Sequence, residues 1–404
     1  MAEHRAAKSR PSGGIPRLRP QSIALLSYGF RLFFLAAGLW AVIAMLLWIG
    51  LLSGLWNFAS GFGAIAWHAH EFLFGYVGAV MTGFLLTAIP NWTGRLPLQD
   101  QPLLALFTLW LAGRAAMLAT DEIGIAPAAV IDSAYLVTLT AVISREIFAG
   151  SNWRNLRVAV LVALTALANI VFQLEVLIAH APAYGLRLAI AAIVLLITVI
   201  GGRITPSFTS NWLARQGSDR RPAPLSRLDI ASIAIAAVAL VAWIAAPDWY
   251  GTAALLLLMT VAQVARLSRW AGERTWREPI LLVLHIGYAF VPLGALLLAL
   301  SILWPQFMTA SGALHGWTTG AMGMMTLAVM TRATLGHTGR DVVTTPSTIA
   351  IYVSIAIAAL ARLAAPLVPQ IYYELLLAAG AAWLLAFGLF VLVYGPMLAG
   401  RRVD

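Results

Sequence analysis

The sequence predicts an all-α polytopic membrane protein of about twelve transmembrane helices with both termini on the cytoplasmic side. Three observations carry that expectation. The chain is 61% hydrophobic and 10% charged, with mean hydropathy +0.86, which leaves too little polar surface for a soluble domain. Apolar runs of roughly 20 residues, the length that crosses a bilayer, recur from end to end. Arginines gather in every second connection between those runs, and the intervening connections hold few or none.

The first 20 residues carry Arg5, Lys8, Arg10, Arg17 and Arg19 among Pro and Gly, with no apolar stretch and no small-residue cleavage site. Residues 1–28 therefore read as a disordered, basic cytoplasmic tail, and 29–404 as a single transmembrane domain. Spans are expected near 30–53, 66–90, 102–120, 127–148, 157–179, 185–202, 229–246, 250–266, 279–303, 311–331, 347–365 and 371–398. Arg95, Arg145, Arg154 and Arg157, a cytoplasmic loop at 203–228 rich in Arg and Pro, Arg266 to Arg277, Arg332 and Arg340 mark one side. Connections 53–65, 120–126, 246–250 and 304–310, free of Lys and Arg, mark the other.

An echo recurs at the inner ends of spans 2, 6 and 10: Gly83 to Trp92, Gly202 to Trp212 and Thr331 to Arg340. The copies are four spans apart each time, which predicts a threefold arrangement of four-helix units.

Composition also limits the chemistry. The absence of cysteine removes disulfides, thiolate metal ligands, iron–sulfur clusters and covalently attached c-type haem. The net charge of +10 arises from arginines at the ends of apolar runs, not from one patch, so topology explains it and no nucleic-acid partner is expected.

The stretch Trp67-His68-Ala69-His70-Glu71 places two imidazoles and a carboxylate at the head of a span, where ionisable groups are costly and usually functional. A metal or proton site is the expectation, since imidazole suits iron, copper and zinc. His68 and His70 open span 2 from the outer side, His315 opens span 10 there, and His180 closes span 5 there. His285 lies on the inner half of span 9 and His337 in an inner connection. A helix turns by about 100° per residue, so His68 and His70 face nearly opposite ways, and at most one binds any given iron.

Several features have two readings. Gly75, Ala79 and Gly83, and Gly312, Gly316 and Gly320, form stripes that either pack helices closely or admit a flat macrocycle. Met322, Met324 and Met325 either fill gaps or ligate. Arg114 and Arg187 either supply cations for haem propionates or pair with Asp132 and Glu175 in neighbouring spans. Glu71 either orients a ligand imidazole and relays protons or caps the start of the helix.

Trp67 to Gly75, Gly83 to Gly94 ("GFLLTAIPNWTG"), Leu109 to Arg114, Gly201 to Pro206 and Arg332 to Arg340 ("RATLGHTGR") resemble the NnrS family, over nearly all the chain after the tail. The resemblance implies a bacterial inner-membrane protein that contains haem and copper and protects cells from nitrosative stress. The outline is also similar to the catalytic subunit of haem–copper oxidases and nitric oxide reductases, whose outer-half histidines of helices 2 and 10 hold a haem. The matching positions here are His68 or His70 and His315. Span 6 lacks a histidine, so a copper site of the oxidase kind cannot form; copper would draw on His285, His180 or the spare member of His68 and His70.

These expectations combine into a noncovalent b-type haem held by His315 with His70 or His68, with Arg114 and Arg187 as cations and nitric oxide as ligand or substrate. The electron donor is not specified by the sequence. Two other classes fit parts of the chain. One is a proton-coupled secondary transporter using Glu71, Asp132, Glu175 and His285. The other is a membrane sensor of haem or nitric oxide that meets a cytosolic partner.

Overall fold

The computed structural model describes residues 23–403. Runs this apolar become helices because each backbone polar group must be satisfied within its own segment where water is excluded. The helices are α1 (Gly29–Leu52), α2 (Ala64–Thr93), α3 (Asp100–Leu118), α4 (Ile125–Ala149), α5 (Leu156–Ala179), α6 (Tyr184–Arg215), α7 (Arg227–Ala245), α8 (Tyr250–Leu267), α9 (Pro279–Leu303), α10 (310–337), α11 (Pro346–Ala364) and α12 (Tyr372–Ala399). Among the described residues there are no strands, and eleven of these helices are long and apolar enough to cross a membrane. α10 falls outside the eleven; His315, Arg332, His337 and its many glycines and threonines dilute its apolar character. The chain is an all-α, multi-pass membrane protein, as its hydropathy predicts.

Two expected boundaries change. The basic tail lies, as far as residue 22, outside the described residues, and Ala24–Leu26 form a single 3-10 turn ahead of α1. α6 runs through Arg203 and Pro206 to Arg215, so the connection expected at 203–228 narrows to 216–226. Thr205, Thr209 and Leu213 stay buried along that extension, which gives it a packed face beyond the apolar run.

Helix ends follow local rules. Ser226 and Asp229 form a capping box at the start of α7, and Thr309 and Thr345 accept backbone N–H groups at the starts of α10 and α11. The Glu175 carboxylate accepts the N–H groups of Ala183, Tyr184 and Gly185 at 2.8–2.9 Å, capping α6.

Successive helices pack side by side, and α12 closes against α1. α2 is drawn inside: 83% of its most apolar stretch is buried, against 28% for α4. α10 touches both α2 and α6, which brings the three echoing helices together.

Both histidine-opened helices widen immediately after the histidine. Glu71–Val77 of α2 and Gly316–Gly323 of α10 are π-helical, a rare form found frequently at functional sites. The glycine stripes are filled by protein. A Cβ at Gly83 would come within 2.7 Å of Phe34, one at Gly316 within 3.0 Å of the Gly294 backbone, and Gly320 lies against the Phe290 ring. Met325 occupies the space beside Gly201 and Gly287, the gap-filling role of an unbranched thioether.

Candidate functional site

The two faces of the first turns of α2 build two different histidine environments. His70 points toward α3, α4 and α5. Its Nδ1 lies 2.9 Å from Glu71 Oε1 and its Nε2 lies 3.0 Å from Asp132 Oδ2. The amides of Asn169 and Gln173 on α5 donate to Asp132 Oδ2 at 2.8 and 3.1 Å and approach the same ring nitrogen at 3.1 and 2.9 Å. Arg114 on α3 donates from Nη1 to Glu71 Oε2 at 2.7 Å and from Nη2 to Asp132 Oδ1, bridging the two carboxylates. Gly75 makes room: a Cβ there would strike Arg114 and Trp40, and its carbonyl accepts the Trp110 indole N–H at 3.0 Å. Phe62, Phe74 and Phe172 enclose the His70 ring, which is fully buried.

His68 points the other way, toward α1, α10 and α11. Its ring stacks on Trp48 with centroids 4.2 Å apart and leans on Phe72 at 4.7 Å. Its Nδ1 is buried with no hydrogen-bond partner. His315 of α10 lies within electrostatic reach, and Arg362 near the end of α11 acts on both imidazoles. The His315 Nδ1–H donates to the Ser311 carbonyl at 2.7 Å, which fixes the tautomer and leaves the Nε2 lone pair free. One terminal nitrogen of Arg362, Nη1, is likewise buried without a partner.

The structure therefore joins His68 with His315, and His70 with Glu71 and Arg114, in separate clusters. The other expected residues lie elsewhere. Arg187 donates to the Ile244 carbonyl at 3.1 Å and stacks on Tyr184, while Glu175 caps α6 instead of pairing with it. The alternative partner named for Arg114, Asp132, is one of the two carboxylates it bridges. His285 hydrogen-bonds Thr209 at 2.9 Å near Trp270, His337 packs on Phe30, and His180 ends α5 in a left-handed conformation on the surface. Among the described residues no three His, Asp or Glu side chains are grouped as a ready metal site.

Sequence reasoning missed Arg362, Asn169 and Gln173. Arg362 carried a signal: with Arg114 and Arg187, it is an arginine at the helix ends opposite the arginine-rich side. Nothing in the sequence marks the two α5 amides, which are ordinary polar residues until α5 meets α2.

The fold and these clusters define a polytopic helical membrane protein with a buried ion-paired cluster on one face of α2 and a pair of imidazoles on the other. The family model described as NnrS protein matches residues 24–402, and the chain belongs to the NnrS family. No curated protein matches it at a significant level.

Proposed function

We propose that this chain is a haem-binding protein of the bacterial inner membrane that binds or converts nitric oxide, with both termini cytoplasmic. One observation carries the reading: two imidazoles with unused ring nitrogens and a guanidinium with an unused N–H meet at one place in a member of the NnrS family. Buried polar atoms without partners are rare and costly, and a ligand would relieve those of His68 and Arg362 while using the free His315 Nε2. His315 and His68 would hold the iron, and Arg362 would take a propionate. In this role Arg362 replaces Arg114, whose two terminal nitrogens are taken by Glu71 and Asp132, and Arg187, whose Nε donates to the Ile244 carbonyl. His70, with both ring nitrogens facing partners, acts as a support for the first turns of α2.

Held by both histidines, a haem would supply an iron that exchanges one electron; held by one of them, it would keep a position for nitric oxide. The protein's part is to fix the His315 tautomer through Ser311, to stack His68 on Trp48 and to keep water away with Phe72. Glu71 is placed to hold or pass a proton with His70.

A second reading uses the same residues. The filled glycine stripes favour a small occupant, and a copper ion held by His68 and His315 needs no macrocycle slot.

Optical spectra and metal analysis of purified full-length protein, with and without nitric oxide, test both. A Soret band that shifts with nitric oxide and is lost in His315→Ala supports haem. Copper without a Soret band, lost in the same variant, supports the second reading. Neither metal, or an unchanged spectrum in His315→Ala, overturns both.

A further inference from the structure

A large cavity lies at the other, arginine-rich end, and the proposed haem function does not use it. It encloses about 1500 Å³. Its walls are the three echoing segments: Thr87, Asn91 and Trp92 of α2, Arg203 and Phe208 of α6, and Arg332 and His337 of α10. Sequences that resemble one another thus meet around one space.

The charge of that wall is one-sided. Arg154, Arg157, Arg203, Arg332, Arg401 and Arg402 line it, joined by Arg31 and Arg266. Among the described residues Asp229 is the only carboxylate on the lining, and Arg266 and Arg269 already hold it at 3.2 and 3.1 Å. Elsewhere at this end arginines find acids: Arg95 and Arg145 share Glu146, and Arg220 meets Glu273. Among the described residues, Arg154, Arg157, Arg203 and Arg332 make no ion pair.

Orientation preference alone explains arginines in connections, but not these two. Arg203 and Arg332 stand inside α6 and α10, well before those helices end. Each is held over an aromatic ring of the preceding echo: Arg203 is 5.6 Å from the Trp92 centroid, and Arg332 is 4.1 Å from that of Phe208. Arg203 also donates to Asn155 at 3.1 Å. A guanidinium stacked on a ring has little rotamer freedom to lose, and its free edge still presents paired N–H donors.

We propose that this vestibule is a binding site for a phosphate-bearing polyanion, with Arg203 and Arg332 as its fixed contacts and Arg154 and Arg157 as its mobile ones. A single carboxylate would neutralise one arginine and leave the rest; a diphosphate or a phospholipid headgroup answers several, and planar arginine forks match phosphate oxygens in pairs. Positive-inside topology turns the cavity to the cytoplasm, where soluble phosphate compounds and anionic lipid headgroups both have access.

The test uses full-length protein in nanodiscs, with tryptophan fluorescence and calorimetry as readouts. Pyrophosphate and ADP are titrated in phosphatidylcholine discs, and discs containing phosphatidylglycerol or cardiolipin are compared without soluble anion. The expected result is saturable binding, weakened by salt and reduced about tenfold or more in each of Arg203→Gln and Arg332→Gln. Arg221→Gln, in the connection after α6 and off the lining, leaves it unchanged. Saturable pyrophosphate or ADP binding assigns a soluble ligand; co-purifying anionic lipid that both variants lose, and that pyrophosphate displaces, assigns a headgroup. Arg203→Lys controls for folding, keeping the charge and part of the affinity. No saturable binding of any probe, or equal loss in Arg221→Gln, overturns the proposal.

Discussion

His68 and His70 lie on one turn of one helix, yet their surroundings differ in kind. His70 faces two carboxylates, an arginine and two amides, and both ring nitrogens have partners. His68 faces Trp48, Phe72, His315 and Arg362, and its buried Nδ1 has none. An ion-paired polar cluster in an apolar medium resists change, because removing any member strands the others. An unsaturated one is held open by the packing around it and gains from a ligand. The difference separates what orients α2 from what α2 offers.

The largest expected effect comes from breaking the ion-paired side. Arg114→Met leaves Glu71 and Asp132 buried and facing each other, with an expected loss of about 3–5 kcal/mol of stability. Thermal unfolding in detergent measures it. Arg362→Met is the contrasting variant: with no partner to strand, it unfolds near the temperature of the cofactor-free parent while its cofactor content falls. Equal destabilisation by both substitutions would erase the distinction between the clusters.

The histidines themselves sharpen the comparison. His70→Ala removes a partner from Glu71 and Asp132 and is expected to cost about 1–3 kcal/mol with metal content retained. His68→Ala is expected to lose the metal and to stay within about 1 kcal/mol of the metal-free parent, since it forfeits ring stacking and no hydrogen bond. Metal analysis and unfolding of the two proteins decide it. Metal that disappears with His70 and persists without His68 would assign the roles the other way round.

Much of this was legible beforehand, for reasons that also mark the limit. Span length and arginine placement are one-dimensional signals, so the order and extent of the helices could be read directly; α6 outran its apolar run because Thr205, Thr209 and Leu213 pack without being a hydrophobic stretch. That His68 and His70 face apart follows from helical rotation. What each one meets does not, because Asn169, Gln173, His315 and Arg362 come from helices remote in sequence. Arg114 and Asp132 could be paired in advance as lone opposite charges in adjacent spans. Arg362 has no such counterpart, and its significance lies in the missing partner, which only packing reveals.

The smallest expected effect lies where α2 begins. Asp121, in the turn between α3 and α4, accepts the N–H groups of Ser60 and Gly61 at 2.9 and 3.2 Å and the Ser60 hydroxyl at 3.0 Å. These bonds hold its carboxyl below the usual range, the backbone donors contributing most. They also anchor the loop that leads through Gly63, at φ +87°, into the turn carrying His68 and His70. A depressed carboxylate contributes stability above its unfolded value of about 3.9, and loses it as pH falls through the lower folded value. Hydrogen exchange at Ser60 and Gly61, corrected for its intrinsic pH dependence, should therefore stay slow and level from pH 7 to pH 5. Asp121→Asn should speed it throughout that range, with global unfolding unmoved because the site is exposed and screened. If the variant also shifts the metal spectrum, the loop sets the rotation of α2 and with it which histidine faces the open side; an unshifted spectrum leaves that rotation to the buried Arg114 cluster alone.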